Sequence, residues 1–246
     1  MIFALKKPFN LGLVIQNFKN LLVLGFFLAV HFTFFVLAVK DTTILNATVL
    51  VNTTPFFSVL VSSFIFRSSP SRTQFVGLSA SFVGVCMIAV AAGGSANSGG
   101  FSPSLKGDVE ALLAAVVESL YLSLGRTIRR QMNIFSLMVP IYALTAIVVS
   151  ALSLFGGGLV VALPSQWGML LSLLGLGLIP TAIAHTLYFS SLSNLKSFET
   201  ATMALLEPIG ATLLGVLVFR EMPAPVFLLG AIVVGGGIIF IGRNQN

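Results

Sequence analysis

The chain has 246 residues, of which 13 are Lys or Arg and 7 are Asp or Glu, so only 8% are charged while 57% are hydrophobic. An ordinary soluble domain carries about 25% charged residues, so soluble enzymes, secreted disulfide domains and disordered tails are excluded and a polytopic membrane protein is expected. The formal net charge of +6 reports orientation before it reports partners, and the single cysteine, Cys86, lies in an apolar run and offers no disulfide framework.

Residues 1–20 hold Lys6, Lys7 and Lys19 around a short apolar stretch, with no small-residue cleavage site after a long apolar core. They read as a cytoplasmic N-terminal segment rather than a signal peptide. Apolar runs follow at about 21–39, 44–66, 74–92, 109–125, 134–155, 169–192, 200–219 and 224–242. Each is long enough to cross a bilayer, which takes roughly 20 residues, so about eight spans are expected. Ser68-Ser69-Pro70-Ser71, the Gly/Ser-rich stretch from Gly93 to Pro103, Pro164-Ser165 and Pro223-Ala224-Pro225 punctuate the runs. Lys106-Gly107-Asp108 signals a helix start.

Eight spans place both termini on one side. With the termini inside, Lys6, Lys7, Lys19, Arg67, Arg72, Arg126, Arg129, Arg130, Lys196 and Arg243 are inside, and Lys40, Lys106 and Arg220 are outside. That asymmetry fits the positive-inside rule, with both termini cytoplasmic in a cell (inner or plasma) membrane. The runs are continuous rather than alternating, which excludes a β-barrel. Basic residues spread over five segments argue against a nucleic-acid partner.

A shift of 153 residues aligns two parts of the chain without a gap: Pro55 with Pro208, Leu60 with Leu213, Phe66 with Phe219, Arg67 with Arg220, Pro70 with Pro223, Gly77 with Gly230 and Gly84 with Gly237. Hydrophobicity alone would not match prolines and glycines. Arg67 was counted inside and Arg220 outside, so the copies have opposite orientation. Inverted repeats are the mark of transporters that work by alternating access around a site between the halves.

Lys106-Gly107-Asp108 through Arg126, Leu205-Leu206-Glu207-Pro208 through Phe219-Arg220-Glu221, Gly230 to Gly242, and Asn52-Thr53-Thr54-Pro55 together resemble the EamA family of the drug/metabolite transporter superfamily. The resemblance implies an all-α membrane bundle of two inverted repeats with ten helices, five per repeat. Here the expectation is eight, as 3+5. Residues 21–92 form an incomplete first repeat of three helices, 93–107 a linker, and 108–243 a second repeat of five. The chain also departs from the family at Ser68, where Glu is frequent, and at Arg220, where small residues are usual. The short first repeat reads either as a mis-called start within a longer frame, the reading preferred here, or as a reduced protein.

Charged groups within apolar spans are functional hypotheses. Glu118, His185 and Glu207 each lie roughly 10–12 Å from a helix end at about 1.5 Å per residue, so they could converge on one cavity. Glu110, Ala114, Glu118, Tyr121 and Gly125 share one helix face, as do Thr181, His185 and Tyr188. The substrate- or proton-binding candidates are Glu118, Tyr121, His185, Tyr188, Glu207, His31 and Asn52. Each also has a plainer reading. Glu207 can serve local helix geometry beside Pro208, Glu118 can be an inter-helix hydrogen-bond partner, and His185, Tyr121 and Tyr188 can be packing. Asn52 reads more readily as bonded to a neighbouring helix. Pro55 and Pro208 shape their helices. Gly77, Gly84, Gly230 and Gly237 let helices approach closely, between repeats or to a second copy or partner chain.

No His-Glu-x-x-His, Gly-x-Ser-x-Gly or Gly-Lys-Ser/Thr sequence occurs, so metal-dependent, serine-hydrolase and nucleotide-driven chemistry are not expected, and no cofactor is. The expected activity is gradient-driven transport of a small organic metabolite, with amino-acid export the direction the resemblance implies and proton coupling through a buried carboxylate or His185. The alternative is a truncated or partner-dependent membrane protein that does not transport alone.

Overall fold

A computed structural model describes residues 9–93, 104–155, 166–214, 216, 217, 220 and 225–242. Most of the Gly/Ser-rich linker, Pro164-Ser165, Phe219, Glu221, Pro223 and Arg243 lie outside the described residues.

All regular elements among the described residues are helices. The N-terminal segment contains a short one, α1 (Leu11–Gln16), whose first turn is closed by the Asn10 side chain accepting from the Leu13 N–H at 3.2 Å. Helix α2 (Phe18–Asp41) begins earlier than the apolar run alone suggests. Helix α3 (Ile44–Val51) is capped by Thr43, whose hydroxyl accepts from the Asn46 N–H at 3.1 Å. Helix α4 (Thr54–Phe66) carries Pro55 in its first turn, where a missing N–H costs no helical bond. Ser71 and Gln74 exchange side-chain-to-backbone bonds of 2.9 and 3.2 Å that start α5 (Arg72–Gly93). Helix α6 (Leu105–Arg129) has Asp108 in its first turn and Arg126 and Arg129 in its last, each sign at its favoured end of the helix dipole. Helix α7 (Ile134–Phe155) follows.

Helix α8 (Trp167–Leu176) passes into a π-helical segment, Gly177–Ala184, which contains Pro180. The missing N–H and ring bulk of that proline account for the widened turn. Helix α9 (His185–Ser190) and a 3-10 turn complete this span. The run expected at 200–219 is divided. Helix α10 (Ser197–Met203), a 3-10 turn at Ala204–Leu206 and α11 (Glu207–Leu214) take its place. Helix α12 (Pro225–Gly242) ends the described chain. Seven stretches among the described residues are long and apolar enough to cross a membrane, with α3 and α4 together forming one of them.

Helix starts recur at a fixed interval. Ile44, Thr54 and Arg72 open α3, α4 and α5, and Ser197, Glu207 and Pro225 open α10, α11 and α12, each 153 residues further on. Arg67 and Arg220, separated by the same interval, have φ of 51° and 57° and are the only non-glycine residues with positive φ among those described. At Arg67 the left-handed turn lets the Ser68 N–H reach back to the Ser62 carbonyl at 2.9 Å, closing α4.

The chain forms two compact units, Met1–Val30 with Leu124–Leu195, and His31–Ser123 with Lys196–Asn246. In the first, the Asn10 N–H donates to Ser136 Oγ at 2.7 Å, and Thr145 donates to the Gly25 carbonyl at 3.1 Å. Gly125 lies against the Phe189 ring with no room for a Cβ. Helix α8 buries no side chain; its apolar surface suits lipid contact.

In the second unit α5 and α12 run antiparallel in close contact. A Cβ on Gly84 would lie 2.7 Å from the Gly230 carbonyl oxygen, and one on Gly77 would lie 2.6 Å from that of Gly237. Between these crossings Ser81 Oγ donates to the Gly77 carbonyl at 2.9 Å and reaches toward the Val234 carbonyl at 3.3 Å. A buried cluster of Val85, Ile88, Leu205, Phe227 and Val234 fills the space beside it. The four glycines singled out in the sequence thus meet one another within this unit.

Candidate functional site

The second unit carries a polar centre inside an apolar bundle. Glu118 lies near the midpoint of α6 and is 8% exposed. Thr54 Oγ1, on the first residue of α4, is 2.9 Å from Glu118 Oε2 and 2.8 Å from the Val51 carbonyl oxygen. Glu207 opens α11 at the equivalent position of the other broken helix, is more accessible, and lies within electrostatic reach of Glu118. Of the residues that precede Pro55 and Pro208, Thr54 is hydrogen-bonded to this buried carboxylate, and Glu207 feels its charge.

The reason lies in the prolines. Each interrupts the backbone ladder of its span, because it has no N–H to give the carbonyl four residues earlier. The chain responds with a turn at Asn52-Thr53 between α3 and α4, and with the 3-10 turn between α10 and α11. Polar backbone is tolerated at membrane depth only where it is buried in protein or lines a polar space.

Thr54, Ser58 and Ser62 stand four residues apart on α4 and are all buried. Ser58 Oγ has no hydrogen-bond partner among the described residues. Ser62 Oγ meets Ser197 Oγ at 2.7 Å, and Ser123 donates to Ser197 at 3.1 Å, so hydroxyls tie α4, α6 and α10 together. Helix α10 is buried from Ser197 to Thr202. Its Glu199 accepts from Gln74 Nε2 at 2.9 Å and from the Lys196 N–H at 2.7 Å. The sequence reading missed this network. The four-residue spacing of Thr54, Ser58 and Ser62 in an apolar run was the available signal; nothing local marked Ser123, Ser197 or Gln74.

A second cluster sits at the other end of α6. Asp108 Oδ1 accepts from Thr42 Oγ1 at 2.9 Å and from Asn46 Nδ2 at 3.2 Å. A Cβ on Gly107 would lie 2.6 Å from the Thr42 nitrogen. The Lys106-Gly107-Asp108 triplet thus does more than start a helix, since it binds the α2–α3 turn. Lys106 pairs with Asp41 at 2.6 Å in an exposed position.

The remaining candidates are placed as follows. Tyr121 is fully buried on the Glu118 face of α6. The His31 ring nitrogen Nδ1 lies 3.0 Å from the Ala114 carbonyl, and the ring stacks on Phe35. Asn52 is buried and caps the end of α3. Pro55 and Pro208 each occupy the second position of their helix. His185 and Tyr188 belong to the other unit, with ring centroids 5.9 Å apart. There Tyr142, not singled out in the sequence, donates to the Thr181 carbonyl at 2.9 Å, meets Thr186 Oγ1 at 2.9 Å, and lies 6.5 Å from the His185 ring.

No group of three or more His, Cys, Asp or Glu side chains suited to a metal occurs among the described residues. The arrangement sets two carboxylates beside a line of buried hydroxyls that can donate and accept hydrogen bonds.

Comparison with known proteins identifies the family and the fold. A protein of Bacillus subtilis (strain 168) named Uncharacterized transporter YdfC is 32% identical over 205 residues, which cover 81% of this chain and 63% of that protein. Uncharacterized transporter YcxC of the same organism is 23% identical over 198 residues, covering 78% and 62%. The chain therefore spans less than two thirds of the length of these curated relatives. A solved structure, described only as a crystal structure of a protein, superposes with a TM-score of 0.72 at 18% identity over 99% of this chain and 80% of that one, which shows a shared fold. The EamA-like transporter family matches residues 1–90 and 105–243. With seven apolar helices among its described residues and that match over most of its length, the chain is a multi-pass integral membrane protein and belongs to the EamA-like transporter family.

Proposed function

We propose that the chain is a secondary transporter of small organic metabolites such as amino acids, driven by a gradient and working as an exporter from a cell membrane with both termini cytoplasmic. One observation carries the reading. Two helical runs are broken at prolines 153 residues apart; of the residues opening the resumed helices, Thr54 donates to the buried carboxylate of Glu118 and Glu207 lies within its electrostatic reach. Discontinuous helices flanking a polar centre are how transporter folds build substrate and coupling-ion sites.

The repeat has support beyond the sequence match. Helix starts and left-handed arginines recur at one interval, and the Gly77–Gly237 contact maps onto the Gly84–Gly230 contact when the copies are exchanged. These observations support the reading of an inverted pair, whose two-fold axis would pass near Ser81 and Val234. Such a pair can alternate access by exchanging roles. A partner chain, if the protein takes one through α12, meets the face of Gly235 and Gly236, where an added Cβ touches nothing within 4 Å.

Uptake into proteoliposomes tests the reading, with a panel of amino acids and related metabolites first screened for thermal stabilisation of the purified chain. Glu118→Gln and Glu207→Gln should each lower transport and flatten its pH dependence. Unchanged uptake in both variants, with unchanged pH dependence, overturns the role given to the carboxylates.

A further inference from the structure

We infer that Thr54 is a positioning residue that couples the protonation of Glu118 to the break between α3 and α4. The inference rests on the reading of Glu118 as a proton-binding group and adds the device through which its proton acts.

A threonine hydroxyl has one proton to donate and lone pairs to accept. Thr54 Oγ1 lies within hydrogen-bond distance of two acceptors, Glu118 Oε2 at 2.9 Å and the Val51 carbonyl at 2.8 Å. An ionised carboxylate and a carbonyl both only accept, so one hydroxyl proton cannot give each a full hydrogen bond. Protonating Glu118 removes the conflict. The carboxyl O–H then donates to Thr54, and Thr54 donates to Val51.

The Val51 carbonyl needs that donor. Four residues on stands Pro55, which has no N–H, so the helical partner this carbonyl would have is missing. With Glu118 protonated, Thr54 stitches the end of α3 to the start of α4. With Glu118 ionised, the charge-assisted bond to the carboxylate is the stronger one. The hydroxyl turns to Glu118 and Val51 loses its donor. The break is therefore closed at low pH and loosened at high pH.

Other titratable groups around Glu118 are Glu207 on α11, Tyr121 on α6 itself, and His31 on α2, whose ring contacts the Ala114 carbonyl one turn earlier. The Thr54 hydroxyl is the group that reaches both Glu118 and Val51, while His31 bonds the Ala114 carbonyl instead.

Hydrogen exchange of the purified full chain, read by mass spectrometry as a function of pH and corrected for intrinsic rates, tests the inference. Peptides covering residues 48–57 should lose protection by about three- to tenfold as pH rises, the effect of roughly one hydrogen bond. Glu118→Gln, whose amide N–H can donate to Thr54, should hold the protected state at every pH. Thr54→Val should abolish the pH response, and Thr54→Ser should restore it. A pH response that survives in Thr54→Val, or one absent from the wild type or from Thr54→Ser, overturns the inference. If Thr54→Val does not fold, the Glu118→Gln and Thr54→Ser pair decides. The exchange response without uptake of any metabolite would sink the transport reading and leave the Thr54 switch standing; uptake without the response would do the reverse.

Discussion

Gly84 and Gly230 meet backbone to backbone. A Cβ on the first would lie 2.7 Å from the carbonyl oxygen of the second, and a Cβ on the second 2.8 Å from that of the first. The obstacle on each side is backbone, which cannot rotate aside as a side chain can. Either glycine replaced by alanine should therefore push α5 and α12 apart and cost roughly 1–3 kcal/mol, the usual penalty of overpacking. Gly235→Ala, where nothing lies within 4 Å, should be neutral or slightly stabilising. Thermal unfolding in detergent separates the two classes.

Glu199 holds two donors at once, the Gln74 amide and the Lys196 N–H, and is 5% exposed. Glu199→Ala should lower stability by roughly 2 kcal/mol or more, because it removes a helix cap and leaves a buried amide unpaired. A double-mutant cycle with Gln74→Ala should show coupling between the two residues. Additive effects would mean the 2.9 Å bond contributes nothing in solution.

The 2.7 Å approach of the Ser62 and Ser197 hydroxyls puts their Cβ atoms within reach of a disulfide. In a Cys86→Ala background, the Ser62→Cys, Ser197→Cys pair should oxidise readily, shown by loss of both thiols to alkylation. If α4 and α10 must part during the transport cycle, oxidation should stop uptake and a reductant should restore it. Uninterrupted uptake in the fully oxidised protein would show that this contact persists throughout the cycle.

Asp108 and Lys106 offer a contrast between a shielded and an exposed charge. Asp108 accepts from Thr42 and Asn46 at the α2–α3 turn, so Asp108→Ala should cost on the order of 1–3 kcal/mol. The Lys106 side chain is 71% exposed in its pair with Asp41. Lys106→Ala should change stability by less than about 1 kcal/mol, since solvent and salt screen such pairs. Chemical denaturation of the two variants checks the ranking.

Much of the architecture was legible in the sequence because bilayer thickness imposes a length on every span, and apolar runs report that length directly. The 153-residue interval was legible because prolines and glycines occupy positions only they can fill. Glu118 and Glu207 stood out because charge is rare in apolar helices. The division of the run at 200–219 was less visible. Its composition is continuous, and the break follows from Pro208 together with the burial of the polar segment Ser197–Thr202. The grouping of His185 with Tyr142 was also invisible. Similar depth along a helix does not say which neighbours a side chain will meet.

What the sequence by itself determined, then, was an all-helical membrane bundle, an interval of 153 residues between like stretches, and a short list of charged residues within apolar runs. These depend on local composition and on one-dimensional spacing. Tertiary structure alone decided that Thr54 bridges Glu118 and Val51, that Ser62, Ser123 and Ser197 knot three helices together, and that the repeat glycines of α5 meet those of α12. Such contacts join residues tens to more than a hundred positions apart. They are fixed by how helices pack, because a hydroxyl or a bare Cα can serve many partners until packing presents one.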